Sequence, residues 1–475
     1  MTSTVIAASL PLLIPAVTSI AVMIAIAIGR NHRVVAGITF AGFAFSFISL
    51  WPASSATPVA LTSLLIIDRY SLIYMGLLLC ASAAVTLLSF SYLDCRPEHK
   101  EEFYLLLILA TLGSMVLTAS DHMASLFLGL ELLSISLYAL ISYPRVEALP
   151  LEAGMKYLVL AASSSAFLLF GLALIYLMEG TMDFGRMTGV SAQSTGGFVY
   201  LAGVVLVLTG IGFKLAVVPF HLWTPDVYQG SPVPVTAFIA TVSKGGVFAF
   251  LLRWLNAGNG ASPSIVLVFA IVAIASMLIG NLLALRQTNV KRLLAYSSIA
   301  HMGYFLIAAI VGGGFGRAAA TYYLAAYMLT ILGAFGSLLA LGAGTQEAET
   351  FDDIRGLYWR RPVLASLFTA MVLSLAGIPL TAGFLGKFYV FTAGASGAAW
   401  TLVIVLIVSS TIGLVYYLRL IVAMFTESSE FVSANERIPV APRIVLAALT
   451  VGLFLLGVYP GPLWGAIAAA AASLG

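Results

Sequence analysis

The chain has 475 residues, of which 61% are hydrophobic and only 9% charged, with 22 Lys and Arg against 19 Asp and Glu for a net charge of +3. Soluble globular domains carry about 25% charged residues, so this composition, with a mean hydropathy of +1.07, excludes an ordinary soluble protein and predicts a polytopic membrane protein. No basic run is dense enough for nucleic acid, and Cys80 and Cys95 form neither a C-x-x-C pair nor part of a metal cluster. Only His221 and His301 of the five histidines lie in apolar surroundings, too few for a bis-histidine haem array. No redox centre, cofactor or metal is expected on this chain.

A membrane helix needs about 20 mostly apolar residues, and that length predicts fourteen spans: 5–29, 34–51, 70–90, 103–119, 122–142, 154–178, 198–221, 233–252, 263–285, 293–311, 318–342, 363–391, 399–425 and 442–463. The first follows an N-terminus without a basic n-region, so it reads as a retained span rather than a cleaved signal. The fifth carries Glu131 near its centre. The seventh, through GIGFKLAVVPFHLW (210–223), carries Lys214, Pro219 and His221. The eighth holds Lys244 within TVSKGG, the tenth, which begins just after Lys291, holds His301, and the twelfth holds Pro379 and Lys387 in LAGIPLTAGFLGKFYV (375–390).

A lysine at the centre of a span costs about 2.5–3.5 kcal/mol on insertion scales, and such residues face a water-filled interior or serve ion traffic. Glu131, Lys214, Lys244 and Lys387 are therefore the candidate proton-transfer groups, since a deep lysine beside a movable carboxylate is a switchable proton carrier. His301 can donate and accept a proton and so bridge two lysines through water. Each internal proline removes one intrahelical hydrogen bond, freeing the carbonyl of Leu215 for Pro219 and of Leu375 for Pro379. Non-helical backbone at membrane depth is tolerated only inside protein or beside a water-filled cavity. Each break thus predicts a polar pocket, with His221 capping the first.

The two breaks fall in spans seven and twelve. Five spans is an odd number, so a repeated five-span unit lies inverted in the bilayer, as in many transporters. The expected organisation is spans 1–3 (residues 1–100), a first repeat of spans 4–8 (101–253), a second of spans 9–13 (254–425), and span 14 (426–475), with Lys214 corresponding to Lys387. Loops after odd-numbered spans hold Arg30, Arg33, Arg96, Lys100, Arg145, Arg286, Lys291, Arg292, Arg355, Arg360, Arg361, Arg437 and Arg443; loops after even-numbered spans hold only Arg69, Arg186, Arg253 and Arg317. Basic residues mark cytoplasmic loops, so both termini are expected on the periplasmic side of a bacterial inner membrane.

The stretch FKLAVVPFHLWTPDVYQGSPVPVTAFIATVSKGG (213–246), with RLLAYSSIAHMGY (292–304) and AGIPLTAGFLGKFYV (376–390), closely resembles the antiporter-like subunits of respiratory complex I and of multi-subunit cation/proton antiporters, over roughly residues 100–425. Three features set it apart from the L- and M-type members: it ends soon after span 14 without a long lateral helix, it has Lys387 where the M type has glutamate, and it carries the wording of 377–390. The resemblance implies an all-α proton-translocating subunit of an NADH-quinone oxidoreductase that binds no NADH, with FMN, iron-sulfur clusters and quinone held by partner subunits. It implies Glu131 and Lys214 as a coupled pair, Lys244 as central relay and Lys387 as terminal relay, with Lys291 and His301 helping to hydrate the axis. It also implies an M-type subunit, a small K-type subunit and membrane lipid as neighbours. The rival within the family is a subunit of a standalone Na+/H+ antiporter; the rival outside it, a secondary transporter of a small solute, would need a substrate pocket that the sequence does not display.

Overall fold

A computed structural model describes residues 3–96, 99–187, 196–257, 263–342, 347–427 and 439–474; Arg437, counted above as a topology marker, lies outside them. The chain is helical almost throughout. Three helices come first, α1 (Ser3–Ile28), α2 (His32–Ala56) and α3 (Arg69–Asp94), with a short antiparallel hairpin of β1 (Val59–Ala60) and β2 (Ile66–Ile67) before α3. Then follow α4 (Glu101–Ala119), α5 (Met123–Ile141), α6 (Ala148–Glu179) and α7 (Gly197–Leu215). The short α8 (Trp223–Gly230) and α9 (Val233–Phe238) lead through a π-helical turn, Ile239–Ser243, into α10 (Lys244–Ala257).

The second half comprises α11 (Pro263–Leu285), α12 (Val290–Val311), α13 (Gly313–Leu341), two single-turn helices α14 (Phe351–Ile354) and α15 (Leu357–Arg360), α16 (Pro362–Ala376), α17 (Ala382–Ser396), α18 (Trp400–Phe425), α19 (Val440–Val458) and α20 (Gly461–Ala472). Among the described residues thirteen helical segments are long and apolar enough to cross a membrane. The stretch expected as the twelfth span is divided between α16 and α17, of 15 residues each. The hairpin and α20 were not foreseen: the hairpin strands are two residues long, and α20 continues the apolar run of span 14 past Pro460.

The polar connections sort onto two faces. On one, Arg30 pairs with Glu102, Arg96 with Glu147, Lys156 with Asp226, and Lys291 with Glu347. On the other, Arg253 makes a bidentate pair with Asp68 at 2.8 and 2.9 Å and also donates to the Thr118 carbonyl, while Arg317 donates to the Ala471 carbonyl and to Asn256. Burial is deepest in the middle of the bundle: the segment 233–256 and helices α12 and α13 are enclosed, whereas α1, α6, α11 and α19 show broad apolar faces outward. Those faces suit lipid or neighbouring subunits, where an apolar exterior is no liability.

Both expected breaks are present. After Leu215 the chain turns through Ala216 in a left-handed conformation (φ 60°), and Val217 N–H donates to the Gly212 carbonyl. After Ala376 it turns through Gly377 (φ 87°) and Leu380 (φ 73°) before α17 starts at the Thr381 cap. A Cβ on Gly377 would lie 2.9 Å from Lys387 Cδ, and one on Gly383 only 2.0 Å from the Ser374 carbonyl oxygen. Glycine is required at both, at one for its conformation and at both for close approach.

Packing neighbours recur at a five-span interval. α4 packs on α5 and α11 on α12; α6 packs on α7 and α8, and α13 on α16 and α17; α10 packs back on α4, and α18 on α11.

Candidate functional site

Lys214 occupies the last turn of α7 and is 3% exposed. Its ammonium donates to Ser134 Oγ at 2.6 Å and Tyr157 Oη at 3.4 Å, and lies 5.2 Å from the Tyr157 ring centre. Ser134 sits on α5 three residues after Glu131, one helical turn along. Glu131 itself accepts a 2.6 Å hydrogen bond from Ser165 of α6. The two charges expected to pair are therefore neighbours joined through a serine turn, and the ion pairs among the described residues do not include one between them.

Lys244 begins α10 directly after the π-helical turn and is fully buried. π-turns concentrate at functional sites because they re-aim the side chains that follow. Its Nζ donates to Ser298 Oγ at 2.6 Å and lies 5.6 Å from the Tyr228 ring. Ser298 also receives the Tyr327 hydroxyl at 2.6 Å and faces the Tyr228 hydroxyl at 3.4 Å. One turn along α12, His301 is bracketed by the Tyr323 hydroxyl on Nδ1 (2.7 Å) and the Tyr417 hydroxyl on Nε2 (3.1 Å). Another turn on, Tyr304 is bonded by Asn281 and Ser409, and the Lys387 ammonium lies 5.5 Å from its ring.

Lys387 donates to the carbonyls of Leu375 at 2.8 Å and Ala376 at 2.9 Å, and to Ser410 at 3.0 Å. The carbonyls released by the second break thus become the lysine's own acceptors, as the position of Pro379 predicts for Leu375. Lys244, Ser298, His301, Tyr304 and Lys387 are brought into one buried line, with Ser298, His301 and Tyr304 at three-residue intervals on one face of α12.

Three expectations are corrected. The cavity at the first break, about 220 Å³, is lined by Leu215, Val217, Pro219, Phe220, Phe269 and Val272 among others; it is apolar rather than polar, because Val217 N–H and the Trp223 indole take up carbonyls of the last turn of α7. His221 does not line it: the ring is buried, and Nδ1 has no protein hydrogen-bond partner. Lys214 and Lys387 do not match residue for residue, since Lys214 precedes its break and Lys387 follows its own. Lys291 also stands apart from the axis contacts. It is 1% exposed and paired with Glu347 at 2.7 Å and Glu349 at 3.6 Å. The hydroxyl partners Ser134, Tyr157, Ser298, Tyr323, Tyr327 and Tyr417 were missed by sequence reasoning; the three-residue spacing within SSIAHMGY was the one signal that pointed to any of them.

Residues 120–413 match the family of NADH:quinone oxidoreductase/Mrp antiporter transmembrane proteins, and the chain belongs to this family of antiporter-like membrane subunits. NADH-quinone oxidoreductase subunit N of Ectopseudomonas mendocina is 45% identical over 477 residues, covering 96% of this chain and 94% of its own. The subunit of the same name from Methylococcus capsulatus is 44% identical, covering 98% and 94%. A chain of respiratory complex I from Thermus thermophilus, solved with bound aureothin, superposes with a TM-score of 0.83 at 34% identity, covering 97% of this chain and all of that one. A chain of the archaeal membrane-bound sulfane sulfur reductase superposes at 0.87 with 26% identity, covering 98% and 97%. A chain of the Mrp complex from Dietzia superposes at 0.86 with 20% identity, covering 100% and 98%, a likeness of fold alone. Within the family the relatives at 44–45% identity over nearly the full length are N-type subunits of NADH-quinone oxidoreductase, a reading supported more strongly than the Mrp one.

Proposed function

We propose that this membrane subunit of NADH-quinone oxidoreductase moves protons along the buried line of Lys214, Lys244, His301 and Lys387, with Glu131 tuning Lys214 through the Ser134 turn. The observation that carries this reading is the nature of the acceptors. Lys214, Lys244 and Lys387 are held by hydroxyl and carbonyl oxygens only, whereas Lys291 and Arg253 nearer the faces are held by carboxylates. A carboxylate partner stabilises the ammonium and holds its proton in place, while a neutral oxygen stabilises it far less and leaves the proton free to pass on. At each step a lysine passes one proton to a neighbouring hydroxyl, imidazole or water and regains one from the other side, so charge moves without net change in the chain.

Quinone reduction drives this movement from elsewhere in the assembly, where partner subunits hold FMN, iron-sulfur clusters and quinone. An M-type antiporter-like subunit and a small K-type subunit are the neighbours we assign, and the bacterial inner membrane, with both termini periplasmic, is the location. Spans 4–8 and 9–13 act as inverted repeats, a reading that the five-span recurrence of packing neighbours supports. Replacing Lys244 with alanine tests the axis. A positioned acid–base group contributes about 100-fold or more to the transfer it serves, so NADH-driven proton uptake by inverted vesicles, normalised to assembled complex, should be almost abolished. Uptake near the parental level in an assembled Lys244→Ala complex would remove the lysine line from the mechanism.

A further inference from the structure

On the Lys-rich and Arg-rich face a small cavity of about 110 Å³ is lined by charged groups from several elements: Tyr92 and Arg96 of α3 and its C-terminal end, Glu147 ahead of α6, Lys291 of α12, and Glu347 and Glu349 of the segment before α14. Its wall is completed by Leu149 and Pro150 of α6, Gln229 and Gly230 of α8, and Pro232. The cavity is polar and large enough for several waters. Lys291 forms its inner end. The ammonium is 1% exposed, with Glu347 at 2.7 Å, Glu349 at 3.6 Å and the Ser231 carbonyl at 2.9 Å. Glu349 is tied to Asn289 at 3.0 Å. Glu347 keeps one foot in solvent, at 17% side-chain exposure, while its other oxygen accepts the Val233 backbone N–H.

What lies behind this cavity gives it meaning. Lys291 and Ser298 are seven residues apart on α12, two turns or about 10 Å along the axis, and Ser298 accepts from Lys244. Tyr228 belongs to the same short helix whose next two residues wall the cavity, and its hydroxyl reaches Ser298 from that side. Lys291 donates to the Ser231 carbonyl, and the Thr236 hydroxyl, bonded to the Ser231 hydroxyl at 2.7 Å, donates to the backbone carbonyl of Tyr228. Tyr228 and Ser298 are thus the hydroxyls that meet the central lysine on the side of the charged cavity.

We propose that Glu347 is the proton-collecting residue of this subunit, taking protons from bulk water at the mouth of this cavity and passing them past Lys291 and Tyr228 to Lys244. The inference rests on the lysine axis described above. A carboxylate at a narrow polar mouth raises the local supply of protons, an effect that matters most when free protons are scarce. Glu347→Gln should assemble, because Lys291 keeps Glu349 and Ser231 as partners.

The test is NADH-driven proton uptake in inverted vesicles carrying the whole complex, measured across a pH series for the parent, Glu347→Gln, Glu347→Asp and Lys244→Ala. Coupled uptake in Glu347→Gln should fall about threefold or more near pH 8 and less than about twofold near pH 6, with Glu347→Asp close to the parent throughout. A deficit equal at all pH values, or one that aspartate does not repair, assigns Glu347 to holding Lys291 in place and overturns the proposal. Parental behaviour of Glu347→Gln beside a dead Lys244→Ala overturns it too, and leaves the axis standing. Parental behaviour of Lys244→Ala overturns both.

Discussion

Each deep lysine solves the problem of a buried ammonium differently. Lys214 leans on one serine and the face of Tyr157, Lys244 on one serine shared with two tyrosines, and Lys387 on two carbonyls that a helix break has released. Removing a buried ion from water costs several kcal/mol even after relaxation, so neutralising these residues relieves an insertion penalty and should leave the fold intact. The coupling of Glu131 to Lys214 is testable on that basis. Lys214→Ala and Glu131→Gln should each assemble and lose most proton uptake, Glu131→Asp should keep a substantial share, and the double neutralisation should cost markedly less than the sum of the two. Because Ser134 holds the Lys214 ammonium one helical turn from Glu131, Ser134→Ala should weaken coupling as well. Strictly additive losses, measured as vesicle proton uptake per assembled complex, would show two independent groups.

At the scale of elements, the two broken crossings are built by different means. The first turns at Ala216 and satisfies its freed groups with local N–H and indole donors, leaving an apolar cavity. The second turns at Gly377 and hands its carbonyls to Lys387. Two left-handed residues, Gly377 and Leu380, hold that second turn, so proline is only one of its determinants. Gly377→Ala should therefore be more damaging than a change at Pro379: a left-handed alanine costs about 1–2 kcal/mol, and its methyl would press on Lys387 Cδ at 2.9 Å. Normal complex assembly with a clear loss of coupled turnover is the expected outcome; an undisturbed rate would mean that the ammonium's seat on the carbonyls is not needed. The π-helical turn before Lys244 is a third such device. It adds a residue to the turn and so sets the direction in which that side chain points.

For the whole molecule, the ion pairs divide the connections into two faces, with the denser positive charge on the face that carries the Glu347 cavity. Basic residues are retained on the cytoplasmic side, so Arg145 is expected inside and Ser473 outside. Both side chains are exposed. In the full-length chain with Cys80 and Cys95 replaced by serine, a membrane-impermeant thiol reagent should label Ser473→Cys in spheroplasts, whose outer face is accessible, and Arg145→Cys only in inverted vesicles. Labelling of both from the same side would break the fourteen-crossing topology.

Much of this architecture was legible from composition and spacing, for physical reasons. Long apolar runs have one stable solution in a bilayer, so the span boundaries followed from hydropathy; a charge deep in such a run is too costly to be incidental, so Glu131, Lys214, Lys244 and Lys387 stood out without coordinates; and Pro219 and Pro379 announced the breaks because neither can donate to a helix. The sequence could not say what each charge would touch. Ser134, Tyr157, Ser298 and the tyrosines around His301 come from helices far apart in the chain, and a hydroxyl in an apolar helix looks alike whether it bonds its own backbone or a lysine 80 residues away. The apolar character of the first break, the unpartnered Nδ1 of His221 and the placing of Lys291 beside Glu347 were likewise decided only by tertiary packing, because which polar groups are left facing one another depends on how whole helices cross.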